Sequence, residues 1–255
     1  MSPGSTLIDR CVIGVDVLGY SQRNPRRQGD TQRELQQLLT EAADAAGLDR
    51  TAWELFHTGD GELAVLPADV NLLPVVQSFV PALHDLLVLR NGDRDPATKI
   101  RLRLAVHIGT LTPSTSGHYA GTALVTLSRL LDSPPVRKAL ESAERSELAL
   151  ILSEVVHEKV VLSGYLARGD EQFAPVVVDL PAKAFRQTAY VHVPGYDMHS
   201  FPGSGAPAGS PTPPPPPETP PPPGGTPAPG DGGVVINGTV HNESGGTIAG
   251  RDVYR

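Results

Sequence analysis

Between residues 11 and 193 the chain alternates short apolar runs with longer stretches in which apolar residues recur every three or four positions. The short runs are Cys11–Val17, Trp53–Thr58, Glu62–Leu66, Ile100–Ile108, Leu148–Leu152, Val176–Leu180 and Ala189–Val193, and they predict β-strands. The longer stretches predict helices over 30–46, 70–90 and 121–143, with a further one over 153–163 that Ser153 could cap. The breaks at Asn91–Asp95 and at Gly59-Asp60-Gly61 read as turns, and the second folds 53–66 into a tight hairpin. Such a hairpin argues against a doubly wound parallel sheet. It favours an α+β sandwich with helices packed on one mostly antiparallel sheet.

The most apolar long stretch, Leu72 to Leu89, contains Pro74, Pro81, His84 and Asp85 and reads as a buried helix rather than a membrane span. From Phe201 to about Gly230 Pro, Gly and Ala dominate, a composition that favours extended polyproline II geometry and cannot pack a core. The expected division is therefore a folded domain over 1–200, a linker over 201–230 and a short β-prone tail over 231–255. The linker could also serve as a ligand for an aromatic groove.

Composition narrows the partners. A formal charge of −7 argues against nucleic acid held by broad electrostatics, though a few local cations could hold a small anion. One cysteine, Cys11, excludes an intramolecular disulfide, and no leader pattern opens the sequence, so a reducing cytoplasm is the expected compartment and no membrane partner is expected. The sequons at Asn237 and Asn242 then carry no glycan.

"GVDVLGYSQR", residues 14–23, ends an apolar strand on a carboxylate, Asp16, and a second acid, Asp60, occupies the hairpin turn "HTGDGELAV". A hairpin packed beside the first strand brings the two together, and two carboxylates at adjacent strand ends suit divalent ions whose remaining ligands are phosphate oxygens and water. Equally, Thr-Gly-Asp-Gly is an ordinary turn sequence, with Asp present for its own hydrogen bonding. Arg129, in "LSRLLDS", taken alone reads as a helix arginine in a surface ion pair. His57, His107 and His157 read as structural or solvated, and there is no nucleophile elbow, His-Glu-x-x-His, paired Cys or P-loop.

Taken in order, "VIGVDVLGYS", "HTGDGELAV", "RLRLAVHIGTL" and "GHYAGTALVTLSRLLDS" resemble the class III adenylate and guanylate cyclase homology domain over roughly residues 8–195. The resemblance implies a ferredoxin-like α+β fold and a site built between two protomers. It implies that Asp16 and Asp60 hold two Mg²⁺ or Mn²⁺ ions and that Arg129, from the other protomer, is the catalytic arginine that steadies the phosphoryl transition state. It further implies a nucleoside triphosphate substrate, a cyclic nucleotide and pyrophosphate as products, and a homodimer, or a partner of related sequence.

Several positions depart from the family's pattern. Phe56 stands where purine cyclases carry a base-reading lysine, His118 near a position that is usually acidic or small and polar, and Val125 where an asparagine orients the ribose. The triphosphate-contacting lysine of the family corresponds to Lys183, with Arg186 as the alternative register in "PAKAFRQTAY". Two readings follow: a cyclase for an unusual nucleotide, or a catalytically silent module that keeps the fold to bind nucleotide or a partner.

The tail repeats Ile236-Asn237-Gly238-Thr239-Val240 loosely twelve positions later, from Ile248 to Val253. It resembles the short terminal amyloid-type signalling motifs of bacterial immune-like receptors and effectors. That implies a receptor or effector bearing a matching motif; a flexible tail and a plain hairpin turned at Asn237-Gly238 are the alternatives.

Overall fold

The apolar run at Cys11–Val17 is the core of β1 (Ile8–Val17), which is buried on both faces from Cys11 onward. Cys11, Ile13, Val15 and Val17 face one hydrophobic core and Val12 the other, as the two-residue period of a strand requires. The computed structural model describes residues 7–113, 119–166 and 172–201, and beyond them 234–235, 240–241, 247–248 and 253–254. His118 and the Pro-rich segment after Phe201 lie outside the described residues.

β1 lies between β3 (Gly61–Val65) and β4 (Leu102–Pro113), antiparallel to both. The full order is β2 (Glu54–His57), β3, β1, β4, β6 (Leu148–Ser153), β8 (Phe185–His192) and β7 (Ala174–Leu180), with β5 (Tyr119–Ala120) paired to β4. Among the described pairs only β4 with β6 is parallel. The sheet is mostly antiparallel and the fold is α+β, as the hairpin at 53–66 indicated.

Helices cover both faces of the sheet. On one side, α1 (Pro25–Ala45), the helical stretch Leu72–Asn91 and α6 (Glu154–Val160) close a core that includes Leu35, Phe79, Leu83 and Val156. On the other, α4 (Thr122–Leu131) and α5 (Pro134–Ser142) close a core that includes Leu127, Leu130, Val136 and Leu140. α4 reaches β1 at Gly14, where a Cβ would stand 3.1 to 3.3 Å from Leu63, Leu131 and Leu127. The missing side chain is what lets the helix settle there.

The periodicity over 121–143 predicts one helix, but the chain forms two. Pro134 and Pro135 have no N–H to return to the preceding turn, and proline biases Ser133 to the extended conformation it adopts. The stretch Leu72–Asn91 also has internal structure: α2 (Leu72–Pro74), a π-helical turn at Val75–Phe79, and α3 (Val80–Asn91). By length and composition this stretch is apolar enough to cross a bilayer. Its line Val75, Phe79, Leu83 and Leu87 is buried in the core it shares with α1.

The chain divides into two compact units, Met1–Ser210 and Pro211–Arg255. In the second, Val234–Val235 pairs antiparallel with Val253–Tyr254, and Val240–His241 with Thr247–Ile248, on one shared register. His241 pairs with Thr247, while Asn237-Gly238, where a plain hairpin was expected to turn, lies outside the described residues.

Candidate functional site

Asp16 is the last acid on β1 and is 7% exposed. Its register partners are Gly61 on β3 and Arg103 on β4. The Val17 N–H donates to the Asp60 carbonyl at 3.0 Å, so the hairpin turn docks on the end of β1 one residue beyond Asp16. The two acids predicted to meet therefore lie at adjoining strand ends, Asp16 buried and Asp60 exposed.

Two local features hold the hairpin there. A Cβ on Gly61 would stand 1.9 Å from the Val15 carbonyl oxygen, so the close approach of β3 to β1 needs glycine at that position. Glu62, 2% exposed, takes Arg50 at 2.8 Å and the Gln36 amide at 2.8 Å, while Arg50 also donates to Gln36 and lies over the Trp53 ring. These contacts tie the hairpin to α1 and to the turn before β2, and they leave Glu62 committed to structure.

Arg103 went unnoticed in the sequence. It forms an ion pair with Asp16, both side chains being about nine-tenths buried, and its Nη1 donates to the Leu131 carbonyl at 3.1 Å. Burial, with Arg137 nearby, lowers its pKa from the ordinary arginine value. The available signal was alternation: in "RLRLAV" Arg101 and Arg103 share one face of a strand buried on both sides, and a buried charge needs a partner. Arg101 finds the carbonyls of Leu140, Ala143 and Ser146, whereas Arg103 finds Asp16.

The remaining candidates fall around α4. Lys183, in the turn Pro181–Lys183, lies 3.9 Å from Asp132, the residue that caps α4. It thus sits at the same helix end whose Leu131 carbonyl Arg103 holds. Arg186 instead pairs across the β7–β8 ladder with Asp179 at 2.5 Å, an exposed structural contact. Arg129 lies over the Phe185 ring at 5.1 Å from its centroid. Leu127 and Leu131 of α4 face Gly14, and Arg129, two residues from each, lies on the other side of the helix. Arg129 and Asp16 thus face different ways within one chain.

Val125, 48% exposed, shares the Arg129 face at i and i+4. Phe56 is half-buried against the core of α4 and α5, opposite Leu63 on β3. His107 departs from the expectation of a satisfied core histidine. Its Nδ1 is buried without a hydrogen-bond partner among the described residues, and burial pushes its pKa down to about 4.

Among the described residues no group of three or more His, Cys, Asp and Glu is placed to hold a metal ion. Asp16 and Asp60 offer hard carboxylate oxygens of the kind Mg²⁺ and Mn²⁺ take, with other positions left to substrate and water, so the donor chemistry fits. A cation at Asp16 would have to share that carboxylate with Arg103 or displace it.

No family model matches the chain, and neither does any curated protein sequence. Solved structures do match. An adenylate/guanylate cyclase/hydrolase from Silicibacter pomeroyi superposes with a TM-score of 0.53 at 18% identity, over 75% of this chain and 100% of that one. The catalytic core of a rhodopsin-guanylyl cyclase with converted specificity, in complex with ATPαS, gives 0.51 at 16% identity over 74% and 98%. A bacterial light-regulated adenylyl cyclase gives 0.52 at 12% over 78% and 56%. The fold is that of the adenylate and guanylate cyclase domains.

Proposed function

We propose that the folded domain is a nucleotidyl cyclase that converts a nucleoside triphosphate to a cyclic nucleotide and pyrophosphate at a site completed by a second copy of the chain. The observation that carries this reading is the β1–β3 register, which sets Asp16 and Asp60 at adjoining strand ends in a cyclase-type fold. Mg²⁺ or Mn²⁺ bound by these two carboxylates would supply Lewis-acid activation of the phosphates and lower the pKa of the ribose 3′-hydroxyl. Lys183 and Arg103, at the C-terminal end of α4, would neutralise phosphate oxygens. The 3′-oxygen bonds to the α-phosphorus, the bond to the bridging oxygen of the β-phosphate breaks, pyrophosphate leaves and the hydroxyl proton passes to solvent. Arg129 is turned away from Asp16 in its own chain, which supports the reading that a partner's copy serves this site. Phe56 and Val125 offer the base and ribose apolar surface in place of hydrogen bonds, which favours a base other than those the purine cyclases read.

A second reading is favoured by the Asp16–Arg103 ion pair: an acid that already holds a cation suits a module that binds without turnover, as do apolar residues at the two positions, Phe56 and Val125, where the resemblance expects base and ribose readers. Purified full-length protein with Mn²⁺ or Mg²⁺ and each of ATP, GTP, CTP and UTP separates the two, beside Asp60→Ala. Pyrophosphate release lost in the variant supports the cyclase. Silence with all four nucleotides, with the tails free or artificially clustered, supports the binding module.

We also propose that the tail recruits the cytoplasmic domain to a receptor or effector with a matching β-prone motif, raising local concentration and so promoting dimerisation. Deleting residues 231–255 should abolish partner-dependent clustering and leave the domain's melting transition unchanged; clustering undiminished by the deletion would refute it.

A further inference from the structure

A cavity of about 350 Å³ opens between the helical stretch Leu72–Asn91 and the β6–β8 ladder. Leu150 at its floor belongs to the core of α1 and α3, so the cavity lies on the face of the sheet opposite Asp16 and α4. The size is that of a small-molecule site, and the walls are mainly apolar, with Val76, Val80 and Phe173 contributing.

Two local features set this cavity apart from a packing fault. The wall from the helix begins in the π-helical turn Val75–Phe79, which contributes Val76 and Gln77, and continues along α3; such a widened turn concentrates at functional sites. Immediately after it, Pro81 has no N–H to give the Gln77 carbonyl four residues back, and both residues line the cavity. On the opposite wall, His192 Nδ1 lies 2.8 Å from the Gln172 carbonyl oxygen. A carbonyl only accepts, so Nδ1 carries the proton, and in the neutral ring Nε2 is a bare acceptor. Burial above all, with His84 acting in the same direction, lowers the His192 pKa and keeps the ring neutral, although the Gln172 bond works the other way.

We propose that this cavity binds a small, flat, largely apolar molecule carrying a single N–H or O–H, which donates to His192 Nε2 while its ring packs against Val80 and Phe173. A charged ligand is disfavoured because the lining, among the described residues, supplies no unopposed charge: its one described carboxylate, Asp85, is exposed at the rim beside His84.

The test uses full-length protein and two probes of nearly the same shape, indole, which has an N–H, and benzothiophene, which does not. Calorimetric titration should show saturable one-to-one binding of indole and about tenfold weaker binding of benzothiophene, the cost of one hydrogen bond. Indole should move the His192 Nε2 resonance and the amide signals of the cavity walls in nitrogen-15 spectra. His192→Phe should reduce indole to the benzothiophene level, and Gln77→Trp, at the exposed rim, should occlude both. Absence of saturable indole binding, equal affinity for the two probes, or shifts confined to residues elsewhere would each overturn the proposal. Should His192→Phe fail to fold, the wild-type probe comparison and the His192 resonance still decide.

Discussion

Replacing Arg103 by Met removes the guanidinium that faces Asp16 and leaves a carboxylate about nine-tenths buried without its counter-charge. Breaking a buried pair in this way costs about 3–5 kcal/mol, because the surviving charge keeps its desolvation penalty and loses its partner. At roughly 2–4 °C per kcal/mol for a domain of this size, the melting temperature should fall by about 10 °C. Asp16→Asn alone leaves Arg103, among the described residues, with the Leu131 carbonyl as its hydrogen-bond partner and should also destabilise. The double variant, with no buried charge of either sign, should recover part of the loss, a coupling of at least ~1.5 kcal/mol. Urea and thermal melts of the four proteins measure this. Single losses below ~1 kcal/mol, or a double variant no better than the sum of the singles, would refute the pairing. The same proteins test the metal reading: Mn²⁺ should raise the melting temperature of Arg103→Met more than that of wild type, since the freed carboxylate becomes available as a ligand. Equal shifts would remove Asp16 from the ligand set.

His107 makes stability depend on pH. Its pKa in the fold is pushed down to about 4 from an ordinary 6.5, so between these values the unfolded chain binds a proton that the fold refuses. Stability should be full above pH 6.5 and fall by roughly 3 kcal/mol as pH drops to 4, and His107→Leu should flatten that slope in urea midpoints; an unchanged slope would contradict it. Gly61→Ala should cost about 3 kcal/mol or more, because its methyl would collide with the Val15 carbonyl, whereas Gly59→Ala, in open space at φ +82°, should cost only about 1–2 kcal/mol in backbone strain. Similar losses at the two glycines would show that β3 can draw back from β1.

What could be read from the residues followed how local each signal is. The strands and the hairpin were legible because alternation and Gly-Asp-Gly punctuation act within a few positions, and the placement of Asp16 and Asp60 at adjoining strand ends followed from packing that hairpin beside the first strand. Arg103 was not legible as a partner, since its pairing depends on which strand lies next to β1, a fact of topology rather than of spacing. The break between α4 and α5 was present in Pro134-Pro135 but hidden by the longer apolar rhythm around it. The π-helical turn at Val75–Phe79 was also hidden, because Pro74 and Pro81 fall within a pattern that reads as one continuous helix. Arg129 was recognisable as a residue, but its orientation over Phe185 and away from Asp16 depends on Gly14 admitting α4 to the sheet.

The two outermost strands have a consequence for how copies of the folded domain can meet. β2 is only four residues long, and its Glu54 carboxylate is occupied by the Tyr119 N–H. β7 includes Pro175, which has no hydrogen to offer a newcomer, and near its end carries Asp179, held by Arg186. Short length, proline and charge are the features that make a border strand a poor template for further pairing. The eight-stranded sheet therefore offers a newcomer no long, unobstructed border, so two copies of the folded domain would have to meet through their faces rather than by lengthening the sheet.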